Sequence, residues 1–324
     1  MFITKLLAGA TLASLLTAAS VAAQTVLKSS DTHPDGYPTV EGVKYFGELI
    51  KDRTAGRYSV EVYHSAQLGE EKDTIEQVRS GVIELNRVSM APFNGTVKET
   101  IVPALPYVFR SEEHMHKVMD GAIGDQIKAA FEPAGLVALA FYDAGSRSFY
   151  NSKKPIKSVA DMKGLKFRVI QSDIFVDMTA ALGANATPMP YGEVYSSVET
   201  GVIDGAENNF PSYDTAKHFE VAKYFSEDQH TILPEVFVMN KAAFDKLTPE
   251  DQAIFKQAAK DSVTKQRELW AAKTAESRTL VEKAGAQINE VEKQGFIDAM
   301  KPVYDKHVKD DVLKKLVADV QATK

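Results

Sequence analysis

The sequence predicts an α/β protein of two units, each built on a largely parallel sheet, followed by long helices. Three observations lead there. Between residues 25 and 89, strand-like and helix-like segments alternate as β-α-β-α-β, the rhythm of a parallel sheet with covering helices. The same rhythm restarts after about residue 135. From Pro249 to about Ala284 the chain is rich in Ala, Lys, Glu and Gln and poor in breakers, which suits one or two long helices. Helices that follow two α/β units would pack across both and limit their relative motion. No repeat or low-complexity linker marks the boundary near 145, which rests on pattern alone.

The elements follow in order. "TVLKSSD" (25–31) reads as a strand, and "PTVEGVKYFGELIKDRT" as an amphipathic helix with Val40, Val43, Phe46 and Ile50 on one face. Pro38 near its start and Gly56 past its end fit the asymmetry of helix termini. "YSVEVYHS" (58–65) alternates strictly, as a half-buried strand does. "EEKDTIEQVRSG" is a second helix and "IELNRVS" (83–89) a third strand. In the second unit, "LVALAFYDAGSRSFYNS" (136–152) reads as one long extended stretch. "LKFRVI", the helical "SDIFVDMTAALG", "ATPMP" and "GEVYSSVETG" come after it. On the C-terminal helices the apolar positions include Ile254, Phe255, Ala258, Val263, Leu269 and Trp270.

The chain has 324 residues, 44% apolar and 25% charged, with no cysteine and a formal charge of −6. That composition suits a soluble globular protein, and the charge argues against a nucleic-acid partner. It leaves room for an anionic small molecule, because local charge sets a pocket. Lys5 precedes "LLAGATLASLLTAASVAA", an apolar run ending in small residues. This is the pattern of a secretory signal peptide cleaved after about Ala23; the rival reading is an uncleaved anchor. With no cysteine, neither a lipoprotein anchor nor disulfides are available, so the expected product is an exported periplasmic protein stabilised by its core.

Catalytic motifs are missing. There is no G-x-S-x-G elbow, phosphate-binding loop or H-E-x-x-H. His114 and His116, at i and i+2, face apart on a helix, so neither a metal nor another cofactor is expected. Asp204 and Glu207 resemble a carboxylate pair, but Asp204-Gly205 reads better as a turn. Polar groups do gather at the C-terminal ends of the expected strands, where ligands bind open α/β sheets. They are Asp31 to His33, Glu71, Arg87, Ser89, Arg147, Arg168, Asn208 and Asn209. Each has a plain alternative: His33 as a loop residue beside Pro34, Glu71 as a complement to a helix N-terminus, Arg87 as a solvated edge cation. Three arginines converging on strand ends are harder to explain that way. In "MKGLKFRVIQS" the strand face carrying Lys166, Arg168 and Ile170 is neither cleanly wet nor cleanly buried.

At these residues the sequence resembles the solute-binding proteins of tripartite ATP-independent periplasmic (TRAP) transporters. The likeness runs over about residues 25–320. It is carried by "QLGEEKDTIEQV", "GSRSFYNSKKPI", "DMKGLKFRV" and "ATPMPYGEVYSSVETGVIDGAENN", in that order behind a signal peptide. The resemblance implies a periplasmic-binding-protein-like fold, with two α/β domains, a ligand cleft between them and a long helix spanning both. The expected division is 24–145 completed by about 234–272, and 146–233 completed by about 273–324. It also implies capture of an organic acid for a membrane permease pair driven by an ion gradient. By the same resemblance Arg168 holds the ligand carboxylate, Arg147 adds a second cation, and Asn208, Tyr191 and Glu71 complete the site.

The residue chemistry agrees with that assignment. A guanidinium pairs with a carboxylate through two parallel bonds and stays charged at any relevant pH. Arg87 and Ser89 share a strand face, and with Glu71, His33, Asn208 and Asn209 they offer more polar groups than a simple keto acid would use. A polyhydroxylated acid suits that inventory. "NRVSMAPFNGTVKET", "GEEKDTIE" and "GAENNFPSY" also resemble the branch of the family that binds hexuronates such as glucuronate and galacturonate. Rival readings are a C4-dicarboxylate or keto-acid receptor, with Arg87 meeting the second carboxylate, and an enzyme using Glu71 and His33 as an acid/base pair. A sensor component presenting the same closed state is a further alternative. A monomer is expected.

Overall fold

The computed structural model describes residues 24–324; the expected signal peptide, residues 1–23, lies outside the described residues. The strands in chain order are β1 (Thr25–Ser30), β2 (Tyr58–Tyr63), β3 (Leu85–Ser89), β4 (Leu136–Tyr142), β5 (Ser146–Asn151), β6 (Lys166–Val169), β7 (Asn185–Pro188), β8 (Gly205–Asn208), β9 (Tyr224–Ile232), β10 (Glu235–Asn240) and β11 (Gln287–Glu290). They form two sheets, ordered β2-β1-β3-β10-β4 and β11-β9-β5-β8-β6-β7. No helix among the described residues is long and apolar enough to cross a membrane.

Each sheet is parallel apart from one strand, and that strand is the one entered from the other sheet. β10 runs antiparallel to β3 and β4, and β5 runs antiparallel to β8 and β9. The stretch 136–152 is therefore two strands in different sheets, not one. The chain leaves β4, turns through Asp143-Ala144-Gly145 and enters β5; it returns from β9 to β10 through Leu233-Pro234. Gly145 has φ +58°, and a Cβ there would lie 2.9 Å from the Trp270 indole nitrogen, so glycine is needed at the crossing.

The helix Pro38–Arg53 buries Val40, Val43, Phe46 and Ile50, the face expected from its periodicity. A single helix, Pro249–Lys283, accounts for the breaker-poor segment. Thr248 accepts the Asp251 N–H at 3.2 Å as its N-cap. At 35 residues it is about 52 Å long, enough to reach both sheets. Ile254, Val263 and Leu269 are only half-buried, whereas Asp251, Ser262, Gln266 and Ser277 are buried with Phe255, Ala258 and Trp270. Each of those polar residues has a distant partner. Asp251 takes two bonds from Arg57 at 2.5 and 2.6 Å, and Ser262 pairs with Tyr142 at 2.7 Å. Gln266 clamps the backbone N–H and C=O of Asp143, both at 2.9 Å. Ser277 donates to Asp214 at 2.8 Å. The helix is thus bonded to the first sheet's unit, to the crossing and to the second unit.

Gly205 opens β8 beside Asn151 of β5. A Cβ there would lie 2.0 Å from Tyr150 O and 2.7 Å from Asn151 Cα. Gly205→Ala is expected to destabilise the fold by about 1–3 kcal/mol in urea unfolding; an unchanged midpoint would contradict this strand contact.

Candidate functional site

Because β10 and β5 run against their sheets, their first residues sit at the C-terminal ends of the parallel strands. Glu235, the first of β10, and Arg147, the second of β5, are placed this way, each just after a crossing. Around them stand Thr32 and His33 after β1, Ser89 at the end of β3, and Glu71 at the start of the helix Glu71–Ser80. Facing these are Arg168 in β6 and Ile170 just after it, Tyr191 after β7, Asn208 and Asn209 at and after β8, and Ser212. Together these twelve residues line one cavity between the sheets. Its free volume is about 20 Å³, room for about one water, so the two walls are closed on each other.

The walls carry opposite charge. On the side of the second sheet, Arg168 is 4% exposed and donates its Nε–H to Met189 O at 3.0 Å. Its guanidinium lies 6.0 Å from the Tyr191 ring centre. Among the described residues it has no carboxylate at ion-pair distance, and burial, with the nearby charge of Arg147, lowers its pKa although Glu207 opposes this. Arg147 differs: it donates to Glu207 at 2.6 and 3.0 Å and to Asn208 Oδ1 at 2.9 Å. Glu207 in turn meets His230 at 3.4 Å, and His230 meets Asp228 at 2.8 Å. Arg147 is therefore neutralised inside a buried network, and Arg168 is the cation left over.

The side of the first sheet is acidic. Ser89 bridges two carboxylates, giving its N–H to Glu71 at 2.8 Å and its O–H to Glu235 at 2.9 Å. Burial, reinforced by the charge of Glu71, raises the Glu235 pKa despite Arg87. Arg87 departs from the sequence expectation. It is fully buried, donates to Asp31 and to Glu235 at 2.6 Å, and is not among the lining residues. Its charge is already matched by two acids, so it stands behind the wall as a support. His33 is stacked on Tyr37 at 3.8 Å, and burial lowers its pKa well below the usual range, helped by Arg87 and Arg147. A neutral, stacked imidazole is a poor partner for Glu71 in acid/base work.

Eight of the nine residues expected from sequence therefore line one cavity: His33, Glu71, Ser89, Arg147, Arg168, Tyr191, Asn208 and Asn209. Asn209 is largely occupied, capping the helix Phe210–Thr215 through Ser212 N at 2.8 Å and bonding Ala144 O at 2.9 Å. Glu235 and Ser212 were missed, and Thr32 was covered only by the range Asp31 to His33. Glu235 lies in the run "TILPEVFV", and a proline between two β-rich runs is the one signal that could have marked a crossing there. A larger cavity of about 750 Å³ lies between β4 and the long helix. There Arg267 is paired with Asp120 and Asp143, and Lys128 with Asp125, so it holds no comparable unmatched buried charge.

Residues 29–311 match the family model for bacterial extracellular solute-binding protein, family 7. The chain belongs to this family. It is a solute-binding protein of the TRAP type. A solute-binding protein of Chromohalobacter salexigens is 41% identical, covering 89% of this chain and 87% of that one. A TRAP periplasmic solute-binding protein from Bradyrhizobium sp. BTAi1, solved with α/β-D-galacturonate, is 51% identical with a TM-score of 0.91, over 92% of this chain and 100% of that one. Another from Roseobacter denitrificans, solved with β-D-glucuronate, is 41% identical with a TM-score of 0.91, over 93% and 100% of the two chains.

The buried network of this binding protein makes its stability depend on pH. Burial opposes the charge on His230, but Asp228 and Glu207 more than offset it and raise its pKa to about 9. Its contribution is complete below its unfolded pKa of about 6.5 and is lost as pH rises through 9. Glu207, pulled down to about 2 by Arg147 and His230 against the effect of burial, contributes above about 4.3 and loses its contribution in acid. Urea unfolding should therefore show stability falling between pH 6.5 and 9, with that slope reduced in His230→Gln. An equal slope in the variant would contradict the network.

Proposed function

We propose that this chain captures a hexuronate, D-glucuronate or D-galacturonate, in the cleft between its sheets and delivers it to a TRAP membrane permease. One observation carries the reading: a buried arginine without a carboxylate faces a wall of acids. A ligand for such a cavity needs a carboxylate at one end and hydroxyl donors at the other. Arg168 takes the carboxylate, Arg147 fixes Asn208 by donating to its Oδ1, and the free amide of Asn208 adds a donor. Glu71, Glu235 and Ser89 accept the ring hydroxyls, and Tyr191 and His33 cover the sugar faces. Each charge-assisted bond contributes about 1.5–3 kcal/mol, so two or three with closure support micromolar binding, about −8 kcal/mol.

The same wall disfavours a dicarboxylate. Its second carboxylate would meet Glu71 and Glu235, and Arg87 has no charge left to offer it. The hexuronate-bound relatives support the choice of ligand. The protein works in this proposal as a periplasmic monomer, cleaved after about Ala23. Its domains, 24–145 with 234–272 and 146–233 with 273–324, open to admit the acid and close over it.

Calorimetric titration should give micromolar or tighter affinity for at least one of the two uronates and no response to succinate or malate; the reverse order would sink the proposal. Arg168→Ala should abolish uronate binding without lowering the melting temperature, and Arg168→Lys should recover little, because the two-pronged geometry is lost. Unchanged affinity in either variant would remove Arg168 from the site.

A further inference from the structure

Next to the cavity, the two walls touch through a pair that takes no part in lining it. Glu70 directly precedes Glu71, and Gly192 directly follows Tyr191, so the pair lies one residue outward from the lining on both sides. The Gly192 N–H donates to Glu70 Oε1 at 3.2 Å, joining segments 122 positions apart. Asp73 accepts the Glu70 backbone N–H at 3.3 Å and fixes the start of its helix.

Two further features mark this contact as fitted. A Cβ on Gly192 would lie 2.5 Å from Glu70 Oε1, and the only atoms within 4 Å of that position belong to Glu70. Gly192 does not have a positive φ, so its backbone would accept alanine. Only the Glu70 carboxylate stands in the way. That carboxylate also carries a cost: its Oε2 is buried without a partner, and burial raises its pKa against the effect of the Gly192 N–H. Glu70 is thus held half-desolvated against the backbone of the opposite wall, by a bond from Gly192 that exists only while the walls are together.

We propose that Glu70 and Gly192 form a latch that holds the cleft shut over the bound acid and sets how long the complex lives. Glu70 is a positioning residue in this role; it touches the opposite wall and leaves the ligand to Arg168. The bond is broken in the open form, so it contributes to the closed complex and nothing to the encounter. Its loss is read in the dissociation rate and not in the association rate.

The latch rests on the reading of the cleft as a site for an organic acid, and the test keeps the two apart. Dissociation of radiolabelled D-galacturonate is followed by chase, or that of whichever organic acid raises the melting temperature of the wild-type protein, so the latch stays measurable if the uronate assignment fails. Glu70→Ala should dissociate roughly tenfold faster, the size of one hydrogen bond to a charged group, with the association rate within about twofold of wild type. Gly192→Ala should also speed dissociation, because its methyl group displaces the carboxylate. In the Glu70→Ala, Gly192→Ala double variant the second change should add nothing, since the clash has gone. An unchanged dissociation rate in Glu70→Ala, a slowed association rate, or additive effects in the double variant would each overturn the latch.

Discussion

Arg168 carries a positive charge out of water at the end of β6, and no carboxylate among the described residues neutralises it. Taking a guanidinium into a low-dielectric interior costs several kcal/mol, and the charge becomes comfortable only when an anion with matching geometry arrives. Much of the cleft follows from this. Arg147, close enough to repel Arg168, is silenced by Glu207. Arg87 is silenced by Asp31 and Glu235. A site with three free arginines would hold anions of many shapes, whereas one free arginine opposite an acidic wall demands a single carboxylate and a hydroxylated remainder.

The topology delivers these groups to one place. Each sheet admits one strand from the other, and that strand must run against its neighbours, so its opening residues fall where the parallel strands end. Arg147 and Glu235 are among those residues. The two crossings and the long helix, tied to Asp143 by Gln266, connect the walls. In the proposed capture, closure couples to occupancy, because the closed form is the one in which Arg168 is buried and needs its counter-charge.

Much of this was legible in the sequence, for identifiable reasons. Strict alternation located β2, and the 3.6-residue stripe of Val40, Val43, Phe46 and Ile50 located the first helix. Polar residues at strand ends gave most of the lining. What stayed hidden depends on long-range pairing. Residues 136–152 read as one extended stretch, whereas the chain changes sheet at Asp143-Ala144-Gly145, where Gly145 packs against Trp270. The long helix was read by its apolar residues, yet its buried face includes Asp251, Ser262, Gln266 and Ser277, whose partners lie far along the chain. Glu207 and Arg87 illustrate the same limit: whether a charge is free or matched depends on what faces it. Pattern could nominate three arginines for the ligand, but only the ion pairs separate Arg168 from the other two.

The most direct measurement compares D-galacturonate with D-galactose, the same ring lacking the carboxylate, by titration calorimetry on the mature protein. If Arg168 waits for a carboxylate, the acid binds with micromolar or lower Kd and the neutral sugar at least about a thousandfold more weakly, the effect of losing two charge-assisted bonds. If the neutral sugar binds within about tenfold of the acid, the carboxylate is not what the cleft recognises, and the account built on Arg168 is wrong.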